Sequence, residues 1–524
     1  MNIPFILEKA IGLYEEKEAV VCSGKRFSYG QFGQRVFRLS RLLKALGLKR
    51  GDRVAIIHRN AHQYLEVYFA AAQLGAILNP LNYRLSAREL DFILKDSGAK
   101  ILLAEDIFSE TVDALKGLKS NIGKVIWTGS GDVPDTFESV KYENAIAGES
   151  PDYISPPDIK DEDTAHLYYT SGTTGRPKGV ILSHKNVCTH ALAAIAELSL
   201  SDHDNWIHAA PLFHLADAWA TFAITWIGGK HVIVPEFEPS VVLSSIQKEM
   251  VTITNMIPTM LNMLVNTPGV ESYDLTSLRA ILSGGAPIAP EVVKNIMDTF
   301  KCDYIQTYGM TETSPYLTLS LLKENLSVLP PKEQFVFKAK TGRPIMGVLL
   351  KVVRDNGKEV ARDAKEVGEI IVKGDTVTQG YWNQPDETAK AIRNGWLYTG
   401  DIAVIDREGY VNIVDRKKDM IITGGENVYS IEVENSLYNH QAVLEAAVIG
   451  VFDSKWGEAV KAFVVLKPGC SATEDEIIKH CKEQIAHYKA PKSVEFIAEL
   501  PKTGSGKIFK KGLKEKIRCF RTKT

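Results

Sequence analysis

The chain has 524 residues, which at roughly 150 residues per domain makes about three domain-sized masses. Its 45% hydrophobic and 24% charged residues place it among ordinary globular proteins, away from disordered or collagen-like compositions. Lys and Arg number 62 against 64 Asp and Glu, a net charge of −2, so the basic footprint of a nucleic-acid binder is missing.

The first 180 residues alternate strand-like and helix-like segments, the rhythm of an α/β protein. AVVCSGKRFSY predicts a hairpin turning at Ser23-Gly24. Ser28 with Gln31 then forms a capping box ahead of a helix that stops at Gly47. RVAII follows as a buried strand and QYLEVYFAAAQLGA as a helix. Ser86 with Glu89 caps another helix ending at Gly98, before the strand KILLAE. Beyond Lys340 the pattern changes to short, Gly-punctuated strands (VLLKVVRDNGKEV, GEIIVKG, GYVNIVDR), as in an antiparallel sheet or small barrel. After Asp419 the alternation resumes on a smaller scale: ENVYSIEVENSLYNH and TEDEIIKHCKEQI predict helices, EAAVIGVF and EAVKAFVVLK strands. This divides the chain into a large 1–417 part and a small 418–524 part.

The six cysteines form no CxxC pair, which predicts reduced thiols in a cytoplasmic protein without a Cys-held metal. The N-terminus carries acids where a leader peptide needs basic residues, and the most apolar window, 215–229, is too short to span a bilayer. From Pro501 onward nine Lys or Arg residues meet one acid, Glu515, which reads as a solvated tail helix.

The most informative stretch is YYTSGTTGRPKGV at 168–180. Thr170, Ser171, Thr173 and Thr174 supply hydroxyls, Gly172, Gly175 and Gly179 let backbone N–H groups turn toward an anion, and Lys178 adds a mobile charge. It is not a Walker A loop, because Pro177 stands where GxxxxGK[ST] needs Gly. No GxSxG is present, which removes the usual serine-hydrolase elbow.

The whole string resembles the phosphate loop of the adenylate-forming superfamily of acyl-CoA synthetases, luciferases and amino-acid adenylation domains. The likeness continues, in the family's order, through QTYGMTE at 306–312, YTGD at 398–401, DRKKDMIITGGENVYSIEVE at 415–434 and PKTGSGK at 501–507. It implies an α/β fold: an N-terminal domain of two α/β subdomains plus a small barrel-like one, followed by a small mobile α+β domain. It also implies a two-step reaction with ATP, Mg²⁺ and coenzyme A. In the first step a carboxylate becomes an acyl-adenylate; in the second the acyl group moves to the thiol.

By the same resemblance, the 170–178 loop holds the β- and γ-phosphates. Gly284, Gly285, Ala286 and Pro287 form the adenine turn, with Thr307, Tyr308, Gly309 and Met310 opposite it. Thr311 meets the AMP phosphate, Glu312 and Thr170 the magnesium, and Asp401 and Arg416 the ribose or phosphate. Lys507 bridges the carboxylate and ATP during adenylation. Rotation about a hinge at Lys418 then brings Gly424 and Gly425 to a pantetheine tunnel. PLFHLADAWATF at 211–222 resembles the stretch lining the acyl pocket, with His214 near the carboxylate and Trp219, Gly309 and Met310 as walls. Leu215 stands where adenylation domains that bind amino acids usually carry an Asp, which favours an amine-free acid, and Asp217 lies two residues further on.

The overall flavour is closest to medium- and long-chain acyl-CoA synthetases, so a fatty, cyclic or aryl acid is expected. Three departures bear on gating: Asp415 replaces a common Gly, the hinge is Lys rather than Asp, and HLADAW carries an extra residue before its Trp. Transfer to a carrier protein and a non-catalytic nucleotide-binding homologue are the alternatives, and monomer or homodimer is left open.

Overall fold

Ser28 accepts from the Gln31 backbone while Gln31 reaches back to the Ser28 backbone, starting the helix Tyr29–Ala45 where the capping box predicts it. Ser86 and Glu89 do the same for Ala87–Ser97, which Gly98 ends in the left-handed conformation. The strands Glu18–Cys22 and Lys25–Ser28 pair across the expected turn at Ser23-Gly24. These elements belong to a computed structural model that describes residues 1–170, 177–453, 455–502 and 508–521, with side chains through residue 517.

Among the described residues the strands form four sheets. One runs Glu138–Lys141, Lys124–Thr128, Ala99–Glu105, Arg53–Ile57, Ile77–Pro80, Thr164–Thr170, Lys178–Ser183 and is parallel except at its last pair. The second has the parallel run Lys230–Ile233, Asn205–His208, Ile253–Asn255, Ala280–Gly284, Asp303–Gly309, with Tyr316–Leu319 antiparallel beyond it. Every residue of the helix His62–Gln73 is buried. It lies against Tyr29–Ala45 and Ile3–Tyr14, and one core joins both sheets, from Val54 and Leu78 to Trp206 and Leu282.

A third, antiparallel sheet carries Val348–Val353, Gly368–Gly374, Trp396–Ile405 and Val411–Arg416. The fourth, built from Ile421–Thr423, Glu426–Val428, Val443–Asp453, Gly457–Leu466 and Ser493–Phe496, is covered by the helices Ser430–Tyr438 and Glu474–Gln484 and has its own core. The result is a mixed α/β fold with a large N-terminal domain and a smaller C-terminal one.

The helix expected over 426–440 begins only at Ser430. Gly424 and Gly425, at φ +60° and +86°, turn a two-residue hairpin that pairs Glu426 with Thr423, so 426–428 is strand. The tail helix Lys510–Arg521 is present, but Lys510 is not a free solvated charge: it is partly buried, with its ammonium held by Glu434 at 2.7 Å and Ser430 at 2.6 Å. No described helix is long and apolar enough to cross a membrane.

Candidate active site

Open α/β sheets take ligands beyond the carboxyl ends of their strands, and Thr170, Gly284 and Gly309 are the last residues of three such strands. Thr170 and Lys178 face each other at the ends of an antiparallel pair. Ser171, Gly172, Thr173, Thr174 and Gly175, which connect them, lie outside the described residues, as does Lys507. A Cβ on Gly179 would sit 2.9 Å from the Tyr169 ring and 3.3 Å from Trp382. Its absence lets 380–382 lie along the strand, with Trp382 N donating to Gly179 O at 2.7 Å and Ile181 N to Gly380 O at 3.1 Å.

That crossing brings Tyr381 to the centre of the site. The Lys178 ammonium pairs with Glu387 and lies 5.0 Å from the Tyr381 ring centroid, while the Tyr381 hydroxyl donates to Glu312 Oε1 at 2.8 Å. Burial pushes the Glu312 carboxyl up; Tyr381, Lys178 and Arg416 oppose it. A carboxylate so placed is costly to charge unless cations or donors join it. Thr311 opens the short turn that holds Glu312, after Met310 N donates to Pro315 O at 2.9 Å.

On the other side of that turn, Gly284 ends its strand where a Cβ would lie 2.8 Å from Thr307 O. Gly285 follows at φ +86°. The exposed Ala286 and Pro287 continue the turn, and Gln306 Nε2 donates to Ala286 O at 2.8 Å. Thr307 donates to Ser283 O at 3.2 Å. The Tyr308 hydroxyl donates to Asp401 Oδ2 at 2.7 Å, and Arg416 Nε stands 3.3 Å from Asp401 Oδ1. Burial, then Asp401, pushes the Tyr308 phenol well above its usual range.

His214 closes a turn with its N–H on Pro211 O at 3.0 Å and its ring 4.4 Å from that of Phe213. Trp219 is buried; its indole donates to Ala216 O at 3.1 Å and its ring packs edge-on against Trp206, Tyr316 and His190. Gly309 has no room for a Cβ, which would run into Pro315 O and the Tyr316 backbone. The Asp217 carboxylate is buried and spent on Trp206 Nε1 at 3.0 Å and His208 Nδ1 at 2.8 Å, so it offers nothing to a substrate amine.

Residues 7–382 match the family described as AMP-binding enzyme, and residues 432–507 match its C-terminal domain. The chain belongs to the AMP-binding enzyme family. A feruloyl-CoA synthase from Amycolatopsis sp is 38% identical to it over 493 residues, 94% of each chain. A long-chain-fatty-acid–CoA ligase from Thermus thermophilus is 35% identical over 530 residues, 99% of this chain and 96% of that one. ATP-bound MatB from Rhodopseudomonas palustris superposes with a TM-score of 0.86 at 31% identity, covering 98% of this chain and 99% of the other. With these relatives the chain is an AMP-forming acyl-CoA synthetase, with ATP and CoA as substrates.

In this AMP-binding enzyme Lys418 lies in the turn 416–420, whose N–H groups at 419 and 420 return to Arg416 O. Gly424 and Gly425 form a hairpin tip, Gly424 against Trp456 and Gly425 with open space around it. Sequence reasoning missed Tyr381, Glu387 and Lys510. It also left Asp415 without a partner, whereas Asp415 Oδ2 and Oδ1 accept from Ser430 N at 2.5 Å and Ser430 Oγ at 3.0 Å. Only Asp415 carried a signal, as a departure from the family's usual Gly.

Proposed function

We propose that this synthetase acts on a medium- to long-chain fatty, cyclic or aryl carboxylic acid. The observation that supports its adenylation chemistry is the row of polar groups from Lys178 through Tyr381 to Glu312, set beside Arg416, Asp401 and Tyr308. In the first step a carboxylate oxygen bonds to the α-phosphorus of ATP as the bond to pyrophosphate breaks. In the second the CoA thiolate bonds to the acyl carbon and AMP leaves with the bonding electrons. Bringing two anions together is work of positioning and charge compensation.

Lys178, shared with Glu387, and the 170–175 loop would take the β- and γ-phosphates. Thr311 would meet the α-phosphate and Arg416 the ribose or phosphate, while Asp401 accepts from the ribose through the oxygen not held by Tyr308. The turn at Gly284–Pro287 would face adenine. Glu312 and the Thr170 hydroxyl, one carboxylate and one neutral oxygen, fit a magnesium ion that keeps phosphate oxygens and water as its other ligands. Bound there, it would neutralise phosphate charge. Lys507 would bridge carboxylate and ATP, and a turn of the small domain about Lys418 would exchange it for the Gly424-Gly425 tip. His214, Trp219, Gly309 and Met310 would face the acid.

Relatives named for feruloyl and long-chain fatty acids support both the aryl and the alkyl arms of this range. The deciding experiment is mass-spectrometric product analysis with ATP, Mg²⁺ and CoA over short, medium, long, branched, cyclic and aryl acids. Acyl-CoA with stoichiometric AMP is expected for medium, long, cyclic or aryl members; turnover of short acids alone overturns the range.

A further inference from the structure

Behind the segment that carries His214, three rings meet edge-on. His190, in the helix His184–Glu197, lies 4.3 Å from the ring of Tyr316, and Trp219 lies 5.1 Å from Tyr316 and 5.5 Å from His190. Trp219 spends its N–H on Ala216 O. The other two do not: His190 Nε2 and Tyr316 Oη are buried and have no hydrogen-bond partner among the described residues. His190 is 1% exposed and Tyr316 4%.

Each such orphan costs about 1–3 kcal/mol, and buried polar groups in native proteins are otherwise paired. A pocket meant only for hydrocarbon would carry Leu and Phe here at no such cost. The cluster also continues the wall at Gly309 and Met310, since Tyr316 pairs with Gly309 across the two strands. Burial holds the His190 imidazole at about 3, against a hydrogen bond with the Tyr316 backbone, so the ring is neutral at ordinary pH. A neutral imidazole carries one N–H and one lone pair, and in the tautomer protonated at Nδ1 the unpartnered Nε2 is the acceptor. The phenol of Tyr316 presents a proton.

We propose that His190 and Tyr316 are specificity determinants of the acyl pocket, and that the acid this enzyme takes carries a hydroxyl on the part of its chain remote from the carboxylate. A hydroxyl is the small group that answers both orphans, giving its proton to the imidazole and accepting one from the phenol. A plain alkyl or phenyl tail leaves both unpaired, and sites built to bond a hydroxyl reject the analogue lacking it more strongly than hydrocarbon pockets reject a methylene.

This inference rests on the ligase reading above, and its test separates the two. Acyl-CoA formation is measured for two matched pairs, 3-(4-hydroxyphenyl)propanoate with 3-phenylpropanoate and 10-hydroxydecanoate with decanoate. The enzymes are the wild type, Tyr316→Phe, His190→Leu and, as a control on the outer face of the same helix, Leu192→Ala. The readout is the ratio of kcat/KM within a pair, which a general folding defect does not move. Wild type and Leu192→Ala are expected to favour the hydroxylated member of at least one pair about tenfold or more, and both pocket variants to bring that ratio toward one. An unchanged ratio in Tyr316→Phe and His190→Leu, or a wild-type preference for the unhydroxylated member of both pairs, overturns the proposal. If no acid yields acyl-CoA, the ligase reading fails instead, and equilibrium dialysis of the same pairs against the same proteins decides whether the hydroxyl is recognised.

Discussion

Asp217 and His208 are joined by a hydrogen bond of 2.8 Å between a fully buried carboxylate and an imidazole at the end of a parallel strand. His208 passes the chain on to His231 at 3.0 Å, and His231 to the Thr225 hydroxyl at 3.0 Å. Together with Asn60, which binds Ala210 O and Leu212 N, this pair clasps both ends of the segment that presents His214.

Asp217→Ala leaves the Trp206 and His208 donors without an acceptor, at about 1–3 kcal/mol each. A fall of roughly 2–6 kcal/mol in urea-unfolding stability is expected, with KM for the acid rising as the His214 turn loosens. Asp217→Asn keeps one acceptor and is expected to fall between the two. Wild-type stability in Asp217→Ala would remove the clasp.

Glu312→Gln removes the carboxylate at the centre of the site, and ATP–pyrophosphate exchange is expected to drop about a hundredfold, the usual effect of losing one preorganised charge partner. Tyr381→Phe has a different signature. The phenol stabilises ionised Glu312, so without it the carboxyl, already raised by burial, rises further. If ionised Glu312 is the competent form, as its proposed role requires, the acid limb of the kcat/KM profile is expected to move to higher pH in Tyr381→Phe. A limb that stays in place, or moves to lower pH, excludes this role.

Much of this site was legible because its parts are local strings. The string at 168–180, YGMTE and YTGD each hold several candidate positions in a row, and the capping boxes at Ser28 and Ser86 are read from residues three apart. Tyr381 and Glu387 escaped for the opposite reason. They meet Glu312 and Lys178 across 69 and 209 residues, a proximity created by strand 178–183 and the crossing at 380–382. The strand at 426–428 escaped likewise, since its helix-like neighbours outvoted a glycine turn whose partner strand lies before it. His190 reads in sequence as an ordinary residue on a helix; only Tyr316, 126 positions away, makes it a candidate.

Three buried histidines give the fold a pH dependence. Burial lowers His166 and His190 to about 3 and His184 to about 4, so all three stay neutral in the folded chain at pH 5. The unfolded chain binds those protons below its pKa of about 6.5. Stability is therefore fully present above that value and lost as pH falls toward the folded pKa, by about 1.4 kcal/mol per unit for each histidine. His166 has neither ring nitrogen hydrogen-bonded among the described residues and sits between Tyr68, Tyr168 and Phe222. His166→Phe is expected to reduce the slope of unfolding free energy between pH 6 and 5 by about that amount; an unaltered slope would contradict its neutrality.

Gly425 stands at φ +86° at a hairpin tip with open space around it. A side chain there carries backbone strain whatever its size, so Gly425→Ala and Gly425→Leu share that cost and differ only in bulk. If the tip lines the thiol path, Leu slows thioester formation from supplied acyl-adenylate well beyond Ala, about tenfold or more by the sensitivity of bound geometry to small displacements. Pyrophosphate exchange then differs little between the two variants. Lys507→Ala is expected to show the reverse, with exchange crippled and thioester formation spared, if its ammonium serves the adenylation step alone as proposed. Equal damage to both half-reactions in either Gly425→Leu or Lys507→Ala would mean that the small domain does not divide its labour between them.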